Sequence, residues 1–446
     1  MRIQLPHRKA VAGVTALLAA FAAGLLGAAP AHAAAAFSSI DASQFQLDPG
    51  TSFSTDKAAI AAVEATGAVT VQNANQVLTT GGHTGSVGLC HGTGLAASLS
   101  PSGFCWDQAD DVSDSYTTAG GWTPQGITGS YDAQPNGLWS DGSGSHTAFI
   151  ASWHFDEKMG TANAVANEFA RITLVNADNN KINYNHLLLV QPTVDASGHA
   201  DFHATPATHA DGVVWYGNTV FVANGRWLQV YSLQHIWKMN SLQATVGITG
   251  SSSSARYSNY ALPLVGLYRT TASDTTGCNS TTGTGVCLNS LSLDRSGADG
   301  LVSAEFYNNP TAGGSSAGGR VIRWPLNYLT ALPSTDTPDA QGAGITHAGE
   351  AFVSPIWHMQ GAATDGTNWY IAGDCPSGVG GGSNDTGGQP YSCIHKALPD
   401  TAPHVLTTSP VYTENLGYSP SSGRLWGINE RINSTTGIRV VFSINT

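Results

Sequence analysis

Seven polar residues draw attention by where they stand. Gln125, His209, Asn289, His358, Gln360, Glu414 and Asn415 each lie just before, or at the start of, a short apolar segment, most of them containing glycine: PQGIT, HADGVVWYG, LNSLSLD, HMQGAATDG and ENLGYS. Imidazole, amide oxygen and carboxylate can ligate a divalent ion, and they can equally orient a polar ligand. His209 and His358 are the sharpest candidates, because a neutral imidazole binds metal or shuttles a proton near neutral pH. The residues name no cofactor; a divalent metal ion, with His209 and His358 as ligands, is the one they would suit. Glu414 is a candidate general base or metal ligand if desolvated. Gln125 and Gln360, in PQG and MQG, and Asn415 are candidate ligand-binding groups, and His347, in THAGE, is a candidate on a neighbouring loop.

Other polar groups read as structural. Asp211 and Asp365 stand in D-G turns, where the side chain serves the turn itself. His146 and His154 sit at the two ends of HTAFIASWHF, with Asp156 and Glu157 just beyond, as a strand-end polar cluster. Several usual signatures are missing: no G-x-S-x-G elbow, no H-E-x-x-H, no phosphate loop and no dinucleotide fingerprint. The run GVGGGSNDTGG at 378–388 falls between Cys375 and Cys393 and reads as a tied loop rather than a phosphate cradle.

The elements that would position these residues repeat along the chain. From Pro124 a glycine-containing segment, an aromatic-rich segment and an alternating segment recur, separated by turn residues, which is the strand order of a propeller blade. The units begin at PQGITGSYD (124–132), HADGVVWYG (209–217), LNSLSLDRSG (288–297), HMQGAATDG (358–366) and ENLGYSPSSG (414–423). The expected fold is therefore all-β: a β-propeller of five blades spanning 122–446, or six if 36–123 holds a further unit. A β-sandwich or two separate β domains is the competing reading. The last unit lacks an outer strand, so an N-terminal strand within 67–90 would close the ring and remove an exposed edge. In such a ring the first strands line a central channel, and the seven polar residues would meet at one mouth. Helical signals are few: Asp56 to Ala65, and one turn at Leu233 to Met239.

The repeated first strands resemble the β-propeller superfamily over residues 122–446, and more narrowly secreted actinobacterial five-bladed propellers of unknown function. The PQG element also resembles the T-Q-G-L pattern of plant-type glutaminyl cyclases, which are five-bladed propellers. The other first strands carry His, Asn and Glu in contexts that depart from that family, so the resemblance implies a fold and transfers no active-site residue.

The N-terminus prepares the chain for export. Arg2, Arg8 and Lys9 precede an Ala/Leu/Gly-rich run from Ala10 to Pro30 and a small-x-small site at Ala31-His32-Ala33, so residues 1–33 read as a signal peptide and 34–121 as an N-terminal segment. Removing three of the 18 basic residues leaves 15 against 30 acidic ones, a formal charge of −15. Nucleic acid is an unsuitable partner, since phosphate binding needs clustered Lys and Arg. No later run is long and apolar enough for a membrane helix. The six cysteines fall into local pairs, Cys90 with Cys105, Cys278 with Cys287 and Cys375 with Cys393, and export makes disulfides the default.

Two functions compete on these grounds. The first is a secreted, monomeric hydrolase or lyase acting on a polysaccharide or related polymer, with His209, His358 and Glu414 at the channel mouth. The second is a non-catalytic propeller that binds carbohydrate or another surface polymer through aromatic faces such as Trp139, Trp227 and Trp357. A glutaminyl-cyclase-like or lactonase-like enzyme acting on a small polar ligand is a third reading.

Overall fold

The computed structural model describes residues 35–112, 121–157, 165–206, 208–270, 285–307, 319–381, 389–430 and 438–446. The expected signal peptide, 1–33, and Cys278 of the second cysteine pair lie outside them. The alternating segments form antiparallel meanders. The first is Gly121–Gly129, Ala148–Glu157, Val165–Asn176 and Asn183–Val194; the second is Gly212–Tyr216, Thr219–Asn224, Trp227–Ser232 and Tyr260–Thr270. The third is Ser292–Asp294, Gly300–Ala304, Gly319–Asn327 and Glu350–Ser354, with Ser38–Ile40 added outside. The fourth is Gly361–Thr364, Trp369–Gly373, Ser392–Ala397 and His404–Ser409. The fifth is Thr413–Ser419, Arg424–Asn429 and Val441–Asn445, completed by Ser102–Cys105 and Ser86–Val87 from the N-terminal region.

Alternation explains how these sheets stack. Successive side chains of a strand point to opposite faces, so Val220 and Val222 pack toward the first meander while Phe221 and Ala223 pack toward the third. The same holds around the molecule. Ile150 and Leu174 meet Val213 and Trp215; Val214 and Leu228 meet Leu301 and Trp324; Val302 and Phe352 meet Ala362 and Ile371. Tyr370 and Ile394 then meet Leu416 and Phe442, and Ile428 and Val441 return to Ile127 and Phe149. Both faces of every meander are thus covered, and each fully buried Leu, Ile or Val contributes about 1.5–3 kcal/mol.

The five innermost strands lie close enough that side chains are excluded at their contacts. A Cβ on Gly361 would sit 2.6 Å from the Glu414 carbonyl oxygen and 2.7 Å from the Leu416 nitrogen. One on Gly212 would collide with the Leu291 amide nitrogen. This is the physical basis of the glycine in the repeated first strands. Neighbouring inner strands do not pair with one another, so side chains tie them together. The Asn415 amide donates from Nδ2 to the Ile127 carbonyl at 3.1 Å and accepts at Oδ1 from the Leu291 N–H at 3.1 Å, linking the fifth meander to the first and third. Asn415→Ala should leave both backbone groups buried without a partner, at about 1–3 kcal/mol each; chemical denaturation should show a loss of roughly 2–4 kcal/mol.

The N-terminal segment differs from expectation in an instructive way. The strand that completes the fifth meander is Ser102–Cys105, paired with Val441–Asn445, rather than one within 67–90; only Ser86–Val87 from that stretch joins, as the strand outside it. SGFC is too short to show alternation. Other N-terminal strands pair elsewhere: Gln46–Asp48 with Tyr260–Thr270, Thr70–Gln72 with Ile236–Lys238 and His83–Thr84 with Asn183–Val194. Between them runs the helix Ser52–Ala65, with Phe53, Ile60 and Val63 buried; the turn expected at Leu233 to Met239 is a 3-10 turn at Leu233–His235, between the third and fourth strands of the second meander. The outer strands of the first two meanders also pair in parallel, Leu187 to Val190 against Tyr260 to Pro263.

Two of the three expected disulfides lie among the described residues, Cys90–Cys105 and Cys375–Cys393. The first ties a loop to the strand that completes the fifth meander. Closing a loop of 15 residues is worth about 3 kcal/mol in the chain-entropy model, so the double change Cys90→Ser, Cys105→Ser should lower unfolding free energy by about that amount in denaturant titrations. No helix among the described residues is long and apolar enough to cross a membrane.

Candidate active site

Each inner strand begins, and each second strand ends, at the same side of the five meanders, so residues far apart in sequence meet there. Gln125, at a bulge in the first inner strand, donates from Nε2 to Glu430 Oε2 at 2.8 Å. Gln360 donates from Nε2 to Glu414 Oε1 at 3.1 Å. His209 Nδ1 lies 3.0 Å from Asp211 Oδ1, and its ring stacks on His154 at 4.2 Å between centroids. His358 Nδ1 lies 2.8 Å from Asp374 Oδ2.

The carboxylates at this mouth influence one another. Glu414 is buried, and its carboxyl is pushed well above the usual range, first by burial and then by the negative charges of Glu430 and Asp211, against a smaller opposing effect of the Gln360 hydrogen bond. Two neighbouring carboxylates out of water cannot both ionise freely. Glu414 is thereby biased toward its protonated form, while Glu430 is half-buried and lines the cavity.

A cavity of about 530 Å³ opens here, lined by polar His358, Gln360, Asp374 and Glu430 and by the aromatic rings of Phe306, Tyr391 and Tyr412. The volume suits one or two sugar-sized units. Aromatic faces with a few fixed polar groups are what a carbohydrate ring requires. Three residues bordering this mouth adopt the left-handed region: Ala210 at φ +59°, His358 at +49° and Tyr412 at +53°. Each costs about 1 kcal/mol or more, and such residues cluster at functional sites where the surrounding structure holds them.

Several expected residues are placed differently. His209 and His358 each have a carboxylate partner of their own, Asp211 and Asp374. Asn415 is fully buried, its side chain bonded to the Leu291 and Ile127 backbone groups of two neighbouring inner strands rather than facing the cavity. His347 lies on the strand Thr346–His347, paired with Gln46, and lines a different cavity with Ser39 and Glu350. Asn289 accepts from the Phe306 N–H and shapes the cavity wall from behind. Asp211, read as a turn residue, faces His209, whereas Asp365 does serve its turn by accepting from the Thr367 and Asn368 N–H groups. His146 bonds Asp178 and Asn75 at the far end of its strand, while His154 joins the mouth. The side chains of Asp156 and Glu157 lie outside the described residues. Trp139 is core, packed on Trp215.

Asp374 and Glu430 were not legible as site residues from the first strands alone. They directly follow second strands, in NWYIAGD and RLWGINE, and a third acidic residue in the same place, Glu305 in GLVSAEF, forms a buried ion pair with Arg320 at 2.5 Å. An acid just after the second strands of the third, fourth and fifth meanders is the signal that points to them.

The chain matches no protein-family model. No curated protein matches it. Among solved structures, the Dos1 propeller aligns with 73% of this chain and 75% of its own at 6% identity and a TM-score of 0.22. The Neurospora crassa Pan2 WD40 domain aligns with 75% of this chain and 97% of its own at 8% identity and a TM-score of 0.20. Likenesses this slight carry no argument, and the reading of the fold rests on the strand pairing and the cyclic packing of the meanders.

Proposed function

We propose that the exported chain is a five-bladed β-propeller, closed by Ser102–Cys105, whose channel mouth is an acid–base site of a hydrolase or lyase acting on a carbohydrate polymer outside the cell. One observation carries the reading: a histidine held by an aspartate, His358 with Asp374, and a carboxylate, Glu430, line one aromatic-walled cavity. The cyclic order of the five packings and the pairing of the N-terminal strand with the C-terminal one support the ring. The disulfides and the leader-like N-terminus support export.

In this reading His358 takes or gives a proton at one wall, with Asp374 fixing the orientation of its ring. Glu430 acts at the other wall, positioned by Gln125. Glu414 is a positioning residue: its Oε1 accepts from Gln360 and holds that amide against the cavity. Phe306, Tyr391 and Tyr412 offer faces on which sugar rings can stack. The direct test is incubation of the purified protein with a panel of neutral and acidic polysaccharides. Released reducing ends or unsaturated ends indicate hydrolase or lyase action respectively. Tight glycan binding with no product would instead support a non-catalytic binding propeller.

A further inference from the structure

We propose that His83, Asp110 and His186 form a second site, separate from the channel mouth, that binds a divalent transition metal ion of the zinc type with one coordination position open to a cavity. Their ligand atoms all lie within 4.8 Å of one another. Asp110 Oδ2 stands 3.1 Å from His186 Nε2 and 3.8 Å from His83 Nδ1. Tetrahedral zinc with bonds of about 2.0–2.1 Å to nitrogen and oxygen separates its ligand atoms by roughly 3.3 Å, so the three side chains need only small adjustments to surround an ion.

Local structure explains how the three meet. Tyr184 and His186 are two apart on Asn183–Val194 and therefore share a face, and His83 is the cross-strand partner of Tyr184. Its imidazole stacks on the Tyr184 ring at 5.0 Å and sits 4.6 Å from the His186 ring. Asp110 comes from the short helix Gln108–Asp111, whose cap, Asp107, accepts from the Asp110 N–H and also meets His83 Nδ1 at 2.7 Å. Asp107 thus stands beside the three as an additional oxygen.

The groups around the ligands do what outer partners do at metal sites. Thr173 Oγ1 bonds His186 Nδ1 at 2.8 Å, which leaves Nε2 directed at the site. Tyr184 donates to Asp110 Oδ2 at 2.8 Å, and Arg171 donates to Oδ1 at 2.6 Å. The guanidinium is itself sandwiched between Trp122 and Trp153, 4.4 and 4.7 Å from the ring centroids, so it is fixed on the oxygen that the ion does not use. The triad opens on a cavity of about 620 Å³ that also carries Trp122, Arg256 and Tyr257. Three protein ligands facing a cavity are the pattern of a site that keeps a position for water or an incoming oxygen ligand.

The test uses untagged, chelator-stripped protein titrated with Zn²⁺ by calorimetry and with Co²⁺ by absorption spectroscopy. The expected result is one equivalent bound, with the intense visible bands of tetrahedral cobalt. His83 is only partly buried, so His83→Gln should fold with an unchanged metal-free melting temperature and bind more than 100-fold more weakly. Thr173→Val should lose about 10–100-fold, the range for outer partners, while His199→Gln, at a side chain 90% exposed, should bind like the parent. Absence of stoichiometric binding, an octahedral-type cobalt spectrum, or a His83→Gln variant that binds as tightly as the parent would overturn the proposal.

Discussion

His358→Asn should lower kcat/KM on the productive polymer by about 10²–10⁴-fold, the usual contribution of a positioned proton-transfer group, while the melting temperature stays close to that of the parent. Asparagine is the informative replacement because residue 358 sits at φ +49°, a conformation that asparagine tolerates better than most residues. The backbone at the mouth is then preserved and only the titrating ring is lost. Asp374→Asn should cost less, because it removes the group that orients the ring while leaving the ring in place. Its effect should fall mainly on kcat, since Asp374 acts through His358. Steady-state kinetics on both variants check this, and turnover of His358→Asn within a few-fold of the parent would place the base elsewhere.

The second large effect is on stability and lies at the opposite end of the inner strands. Asp132 is fully buried, and burial pushes its carboxyl up to about 8, against the hydrogen bond from Thr128, the charge of Arg295 and the Gly129 N–H. A folded-state value raised in this way means that the native protein keeps a proton that the unfolded chain releases above about pH 4. Stability from this group is fully present below that pH and is lost as pH rises toward 8, with a slope of up to about 1.4 kcal/mol per pH unit. Asp132→Asn keeps an acceptor for Thr128 and has no proton to lose. The variant should match the parent near pH 4 and gain progressively, by on the order of 1–4 kcal/mol at pH 7. Denaturant midpoints at pH 4.5, 6, 7 and 8 measure the divergence, and parallel curves would contradict it.

Much of the architecture was legible because its cause is local. The apolar run of Thr219–Asn224 reads as a strand covered on both faces, and glycine recurs where inner strands touch, as at Gly212 and Gly361. What was hidden depends on distant pairing. Ser102–Cys105 has four residues and no pattern of its own, so only the unpaired edge of Val441–Asn445 explains its place. The mouth was read in part: Gln125, Gln360 and Glu414 come together, whereas Asn415 and His347 look identical to ligand-binding groups until their partners are known. His83, Asp110 and His186 left no motif, since they come from a two-residue strand, a four-residue helix and a long outer strand. The Tyr184-x-His186 alternation was the only trace.

A crystal structure of the His358→Asn protein soaked with an oligosaccharide from the productive polymer tests most directly where the chemistry happens. A sugar ring is expected against Phe306, Tyr391 or Tyr412, with the bond to be cleaved between residue 358 and Glu430. An oligosaccharide seated instead in the cavity beside His83, Asp110 and His186, with the channel mouth empty, would contradict it.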